Sequence, residues 1–234
     1  MISPTDKIIK QRALWLTLLI VLILIFDQAL KIWVKTSFYL GESRDITSWF
    51  SLTFVENNGM AFGWSLGNKL FLSIFRIIFV VVLLWGLIKA LKTANRFKTG
   101  FLVCLALIFT GAIGNIFDCV FYGEIFNNPA PPQTAQFVAL GQGYAGWFQG
   151  RVVDMLSFHL FSFDWPTWMP FVGGDRFDFF APVFNIADAA ISVGVIVLVL
   201  FYSRSISGFL ELYKGKKAKN ADALAEEECA DNSK

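Results

Sequence analysis

Charged residues are scarce in this chain, and histidine and cysteine are scarcer still. Only 16% of the 234 residues are charged, whereas 56% are hydrophobic and 17% aromatic, which is too apolar for an ordinary soluble domain. The single histidine, His159, argues against a metal site built on several histidines and leaves a Ser-His-Asp triad little to use. Three cysteines at unrelated spacings predict neither a disulfide framework nor a zinc site. The net charge of +2 gives no indication of nucleic-acid binding.

Four apolar segments are long enough to cross a bilayer, which takes about 20 residues of helix. They lie at about residues 13–34, 70–91, 100–121 and 182–203. Positive residues remain on the cytoplasmic side of a membrane, and three clusters of them agree with one topology. This topology places both termini in the cytoplasm and the two long connections outside. The three clusters are Lys7, Lys10 and Arg12; Lys89, Lys92, Arg96 and Lys98; and Lys214, Lys216, Lys217 and Lys219.

The predicted fold class is therefore a mainly α membrane protein, with one four-helix membrane domain over residues 1–212. Residues 213–234 are rich in Lys, Ala and Glu and are predicted to form a disordered cytoplasmic tail. In the first outer connection, β-favouring and aromatic residues precede an Asn-Asn-Gly turn, which predicts a small extracytoplasmic β-rich segment. Residues 156–181 hold many aromatic residues and are predicted to lie at the membrane interface. A flap over an extended substrate and a simple interfacial anchor both fit that segment.

Ionisable side chains inside a bilayer cost free energy unless they are paired or hydrated, so each one is a functional candidate. Asp27 and Asp118 lie roughly 21 and 27 Å along helices that start inside. Asp188 lies roughly 9 Å into a helix that starts outside. Three carboxylates from three spans are therefore predicted to converge near the outer surface.

Each of these polar residues also has a purely structural explanation. Asp27 and Lys31 have the i,i+4 spacing of an intrahelical ion pair. Asn185 and Asp188 have the spacing of an N-cap and its third-residue partner in a capping box. Arg76, near the outer end of the second span, fits either snorkelling or a contact with a carboxylate. Small and polar residues on one face of the third span fit close helix packing: Gly111, Gly114, Asn115 and Asp118.

Four stretches of the chain, taken in order, resemble the type II, or lipoprotein, signal peptidases. They are DQALK at 27–31, NNGMAFG at 57–63, GAIGNIFD at 111–118, and VVD at 152–154 together with FNIAD at 184–188. Each stretch alone is a weak signal, but their joint order extends over nearly the whole chain up to about residue 200. The order and the predicted topology together carry the resemblance.

The resemblance implies an intramembrane aspartyl endopeptidase of the bacterial inner membrane. Such an enzyme removes the signal peptide of a prolipoprotein before its diacylglyceryl-modified cysteine, needs no metal or cofactor, and is inhibited by globomycin. Asp154 and Asp188 match the catalytic pair of the family, and two carboxylates that share a site cannot easily both ionise. The other residues expected to bind substrate or support the site are Asp27, Lys31, Asn57, Gly59, Gly111, Gly114, Asn115, Asp118, Arg151, Asn185 and Ala187.

The chain departs from the family pattern in two places. Cys119 stands where the family has an arginine directly after the aspartate that matches Asp118, and Arg151 is a candidate substitute for that missing cation. An insertion at about residues 125–149 separates the third span from the Val-Val-Asp stretch. Because the alignment resumes after this insertion, Asp118 and Asp164 remain alternatives to Asp154.

Two other classes of function fit intramembrane aspartates. One is a small ion-coupled transporter, against which stand the low number of spans and the clustering of the acidic residues at one face. The other is a non-catalytic assembly factor whose carboxylates only hold helices together. Asp-to-Asn substitutions separate these classes, because a packing role survives them in part and a catalytic pair does not.

Overall fold

The structure, a computed structural model, describes residues 4–57, 69–93, 96–159, 161–179 and 182–231. Its four long helices are α1 (Pro4–Ser37), α2 (Lys69–Lys92), α3 (Thr99–Phe117) and α5 (Ile186–Asp231). Each of them contains a segment long and apolar enough to span a membrane: Thr5–Ser37, Ser73–Lys92, Thr99–Ile125 and Ile186–Glu211. The four predicted spans are confirmed. Many apolar side chains on α1, α2 and α5 face outward, as lipid-facing helices require.

Helix α3 lies at the centre of the bundle and packs against α5 along a face of small residues. A Cβ atom on Gly111 would lie 2.1 Å from the carbonyl oxygen of Ala187, so only glycine permits this approach. At its C-terminal end α3 widens into a π-helical turn, Asp118–Tyr122, and then into the short helix α4, Gly123–Ile125. At the opposite end, Arg12 of α1 donates a hydrogen bond to the carbonyl of Phe97, 3.3 Å away. Two of the predicted positive clusters therefore lie at the same end of the bundle.

A small sheet covers the other end of the bundle. Strands β1 (Ser43–Asp45), β2 (Phe50–Asn57) and β3 (Val152–Phe158) pair antiparallel in the order β1-β2-β3. The predicted β-rich segment is therefore present, and β3 joins it from a distant part of the chain. The pairing of β2 with β3 is irregular between Leu52 and Val55 and resumes with Val55 opposite Asp154.

A separate hairpin of two strands, β4 (Phe161–Asp164) and β5 (Arg176–Phe179), lies between β3 and α5. The turn between its strands carries exposed aromatic side chains, and Trp168 is 80% exposed while Phe171 is fully exposed. Five backbone hydrogen bonds close this turn on itself, including Trp165 N–H to Asp175 O and Gly173 N–H to Met169 O.

Two boundaries differ from the sequence prediction. Helix α5 begins at Ile186 instead of about 182, because Asn185 caps it. It then bends at Tyr202 and continues to Asp231, through the segment predicted as a disordered tail. Ala, Lys, Leu and Glu favour helix, so the composition that argues against a packed core is compatible with an extended helix.

Candidate active site

Lys31 is the centre of a buried polar cluster that joins two spans. Its ammonium group lies 3.0 Å from Asp27 Oδ2, 2.8 Å from Asp118 Oδ2 and 3.0 Å from Asn115 Oδ1. The side chain of Lys31 is 0% exposed, and Asp118 is equally buried. We call Lys31, Asp27, Asp118 and Asn115 the lysine cluster. The predicted Asp27–Lys31 ion pair is confirmed, and the three acceptors match the three donor protons of the ammonium group.

The two carboxylates of the lysine cluster also accept hydrogen bonds from distant backbone. Asp118 Oδ2 accepts from the N–H of Val153 at 3.3 Å, and Asp27 Oδ1 accepts from the N–H of Ala187 at 2.9 Å. Val153 directly precedes Asp154, and Ala187 directly precedes Asp188. The lysine cluster therefore holds the backbone next to each of the two remaining aspartates.

Asp154 and Asp188 are joined by a chain of three hydrogen bonds through two asparagines. Asn115 Nδ2 donates to Asp188 Oδ1 at 2.7 Å, and Asn185 Nδ2 donates to Asn115 Oδ1 at 3.1 Å and to Asp154 Oδ1 at 2.7 Å. A side-chain hydrogen bond from Asn57 also reaches Asp154. Both aspartates thus accept from amide donors fixed by neighbouring elements.

The predicted capping box at the start of α5 is present. Asn185 Oδ1 accepts from the N–H of Asp188 at 2.9 Å, and Asp188 Oδ2 accepts from the N–H of Asn185 at 3.4 Å. One oxygen of Asp188 therefore accepts from the backbone N–H of Asn185, and the other accepts from the side-chain amide of Asn115. The carboxylate is fixed in the first turn of α5, where the helix dipole favours negative charge.

Asp154 is the more buried of the two aspartates, at 3% exposed, whereas Asp188 is half-buried. Burial raises the pKa of Asp154 to about 7, and the nearby Asp188 carboxylate adds to the rise. Hydrogen bonds from Asn57 and Asn185, together with the charge of Lys31, act in the opposite direction on this pKa. Near neutral pH the pair is therefore suited to hold one proton, with Asp154 as its carrier.

Most of the residues singled out in the sequence meet at this place. Gly114 packs against the lysine cluster, since a Cβ there would lie 3.1 Å from Asp27 Oδ2. Gly111 and Ala187 form the close contact between α3 and α5 described above. Asp164 lies in the exposed strand β4 opposite Arg176, which removes it as an alternative to Asp154 at this site. Gly59 lies outside the residues that the structure describes.

The suggestion that Arg151 substitutes for the missing arginine partner of Asp118 is wrong. Lys31 pairs with Asp118, whereas Arg151 Nη1 lies 2.7 Å from Glu56 Oε2. Arg151 directly precedes β3, and its side chain pairs with Glu56 on the neighbouring strand β2. Arg76 Nη1 instead lies 3.2 Å from Cys119 Sγ, so α2 brings a guanidinium to the position where the family pattern has arginine on α3.

Sequence reasoning missed two groups of residues. Gln28 Nε2 donates to Asp118 Oδ1 at 2.8 Å, and Tyr122 Oη donates to Gln28 Oε1 at 3.0 Å. Gln28 lies inside the DQALK stretch that resembles the family, and that resemblance could have identified it. The second group is Lys35 and Glu56, and Glu56 bridges Lys35 to Arg151. Lys35 is one helical turn from Lys31, but Glu56 gave no signal in the sequence.

Known proteins are similar to this chain over most of its length. The family described as Signal peptidase (SPase) II matches residues 19–204. A lipoprotein signal peptidase of Porphyromonas gingivalis is 50% identical over 199 residues, covering 85% of this chain and 86% of that protein. A lipoprotein signal peptidase of Amoebophilus asiaticus is 34% identical over 212 residues, covering 87% of this chain and 84% of that protein.

Solved structures are similar as well. A bacterial membrane enzyme determined by the in meso method at 2.3 Å resolution aligns with a TM-score of 0.55 at 25% identity, covering 82% of this chain and 90% of that chain. A second one at 1.9 Å resolution aligns with a TM-score of 0.53 at 26% identity, covering 80% and 93%. Sequence and fold therefore point to the same group of proteins.

The first prediction concerns the lysine cluster. Lys31→Met keeps the length of the side chain but leaves Asp27 and Asp118 as two buried carboxylates without a cation. Removing one partner of a buried ion pair costs roughly 3–5 kcal/mol, so we expect a clear loss of thermal stability in detergent. Lys10→Met, the same substitution at an exposed position of α1, is the control and should change stability by about 0.5 kcal/mol or less. Equal unfolding temperatures for the two variants would contradict the central role of Lys31.

Proposed function

The chain belongs to the signal peptidase II family, whose members remove signal peptides from prolipoproteins, and we propose that Asp154 and Asp188 carry out this cleavage here. The observation that carries the proposal is the hydrogen-bonded chain from Asp188 through Asn115 and Asn185 to Asp154. Helix packing alone does not require two aspartates to meet in this way. The substrate that we propose is a bacterial prolipoprotein with a diacylglyceryl-modified cysteine, cut immediately before that cysteine.

The two aspartates have different roles in the proposed reaction. Asp188, in the first turn of α5 and hydrogen-bonded at both oxygens, carries the negative charge and accepts a proton from the attacking water. The water oxygen bonds to the scissile carbonyl carbon. Asp154, buried and with a raised pKa, donates its proton to the carbonyl oxygen. Collapse of the tetrahedral intermediate breaks the C–N bond. The leaving amine takes up the proton held by Asp188, and one hydroxyl of the intermediate returns a proton to Asp154 as the carbonyl re-forms.

The neighbouring amides and glycines support the proposed site without taking part in the proton transfers. Asn57, Asn115 and Asn185 hold the carboxylates by hydrogen bonds. Asp27, Lys31 and Asp118 fix the backbone that carries them. Close packing at Gly111, Gly114 and Ala187 brings α3 and α5 together. We also propose that globomycin inhibits cleavage and that Gly59 and Arg151 support substrate binding.

The location that we propose is the bacterial inner membrane, with both termini cytoplasmic and the aspartate pair near the outer face. The three positive clusters support this orientation. The exposed Trp168 and Phe171 of the β4–β5 turn support it further, because large aromatic side chains concentrate at the membrane–water interface.

The cleavage prediction uses protein purified in detergent and a diacylglyceryl-modified prolipoprotein. Asp154→Asn and Asp188→Asn should each lower cleavage by about 10²- to 10⁴-fold while leaving the protein folded, because each removes one proton-transfer group. Asp164→Asn, in the exposed strand β4, is the matched control and should cleave like the wild type. Globomycin should block the wild type. An inactive Asp164→Asn beside an active Asp154→Asn would show that the assignment across the insertion is wrong.

The second prediction for this function concerns pH. Above about pH 7 Asp154 loses its proton, so kcat/KM for cleavage should fall as the pH rises through that value. Asn57 stabilises the ionised form of Asp154 and lowers its pKa, so Asn57→Ala should move this alkaline limb upward, by roughly one pH unit. A kcat/KM that increases through pH 7 would instead make Asp154 the base and reverse the two roles.

Orientation is tested with a membrane-impermeant thiol reagent on spheroplasts of the expression host. Thr167→Cys, at an exposed position of the β4–β5 turn, should be labelled from outside, whereas Cys229 in the tail should be labelled only after lysis. Cys104 and Cys119 are buried and provide little background. Labelling of Cys229 in intact spheroplasts, with Thr167→Cys protected, would invert the proposed topology.

A further inference from the structure

A second group of buried charges lies on the far side of the sheet from Asp154. Glu56 of β2 pairs through Oε1 with Lys35 Nζ and through Oε2 with Arg151 Nη1, the latter at 2.7 Å. The side chains of Glu56 and Lys35 are almost completely buried, at 3% and 2% exposed. We call Lys35, Glu56 and Arg151 the second charge cluster. Nothing in the proposed proton transfers uses these three residues.

The insertion at 125–149 builds the cover of the second charge cluster. Lys35 Nζ lies 5.2 Å from the ring centres of both Phe126 and Tyr144, at the distance of a cation–π contact. The Arg151 guanidinium lies 5.0 Å from the ring of Tyr144. Tyr144 Oη also accepts from the Arg151 N–H at 2.7 Å, and Asn128 Oδ1 accepts from Arg151 Nη1 at 3.3 Å. The insertion therefore covers one side of an ion-paired carboxylate and holds one of its cations.

Glu56 is next to Asn57, whose side chain hydrogen bonds Asp154. Successive side chains of a strand point to opposite faces, so Glu56 faces the second charge cluster while Asn57 faces Asp154. The pairing of β2 with β3 is irregular between Leu52 and Val55. Because the irregularity separates the two parts of the strand, the pairing at the Phe50 end of β2 does not set the position of the residues that follow Val55. Glu56, paired opposite Val153, provides an anchor for this end of the strand.

We infer that the 125–149 insertion is a positioning element: it encloses the Lys35–Glu56–Arg151 cluster, which fixes β2 so that Asn57 donates its hydrogen bond to Asp154. Glu56 and Tyr144 are thus positioning residues that act through Asn57, and neither touches the substrate. This inference rests on the proposed function of the aspartate pair. The charged groups that act on Asp154 itself are Asp188 of α5 and Lys31 of α1, and neither belongs to the second charge cluster.

The test compares pH profiles of prolipoprotein cleavage for five variants and the wild type. Glu56→Gln keeps the size of the side chain but removes the charge that binds Lys35 and Arg151. It should lower the plateau of kcat/KM several-fold. It should also move the alkaline limb to higher pH, as Asn57→Ala does, by about one pH unit at most. The double variant Glu56→Gln/Asn57→Ala should have the limb of Asn57→Ala alone, since both changes remove the same hydrogen bond. Glu42→Gln, in the partly exposed ion pair with Arg44, is the control and should leave the profile unchanged.

Tyr144→Phe is a second variant, which tests the inference even if the Glu56→Gln protein does not fold. It keeps the ring beside Lys35 and removes only the hydroxyl that accepts from Arg151, so it should move the limb in the same direction by a smaller amount. If both variants lower the plateau of kcat/KM but leave the pH of the alkaline limb unchanged, the inference is overturned. A merely structural role would lower activity without moving that limb. A wild type that does not cleave, or an Asn57→Ala limb that stays in place, would instead contradict the proposed function.

Discussion

A lysine ammonium group buried in the membrane domain is the constraint on which the site depends. An unpaired cation there would be costly, and Lys31 meets this cost with one acceptor for each of its three protons. A buried ion pair adds little net stability compared with an apolar core, but removing one partner is severely destabilising. The lysine cluster therefore matters chiefly because it admits few other arrangements of α1 and α3.

The geometry of the aspartate pair follows from that constraint. Once Lys31 orients Asp27 and Asp118, their free lone pairs accept the N–H groups of Ala187 and Val153. Those residues belong to α5 and to β3, so a helix and a strand that are distant in sequence are brought to the same cluster. Because the preceding backbone is held, Asp154 and Asp188 can move only as far as their own side-chain torsions allow. The Lys31 cation thus helps to position Asp154 and Asp188, although its own ion-pair partners are Asp27 and Asp118.

The features predicted from the sequence are those with local signals. The four spans follow from apolar length, and the Asp27–Lys31 pair and the Asn185–Asp188 capping box follow from spacings of four and three residues. Strand β3 was not predicted, because its buried run follows a long insertion and shows no alternation of polar and apolar residues. Arg151 was given the wrong partner for a related reason. Its contact with Glu56 joins residues 95 positions apart, and no local spacing indicates it.

The structural role of Asp188, as the partner of Asn185 in a capping box, is compatible with the catalytic role that we propose for it. The capping box occupies one carboxylate oxygen and Asn115 the other, so the hydrogen bonds at the start of α5 also fix the orientation of this carboxylate. Asp154 lies in a buried strand, where the raised pKa favours the proton. Two chemically identical side chains thus differ because one caps a helix and the other interrupts an apolar strand. In the reaction that we propose, this asymmetry gives the proton transfer its direction, from water to Asp188 and from Asp154 to the carbonyl oxygen.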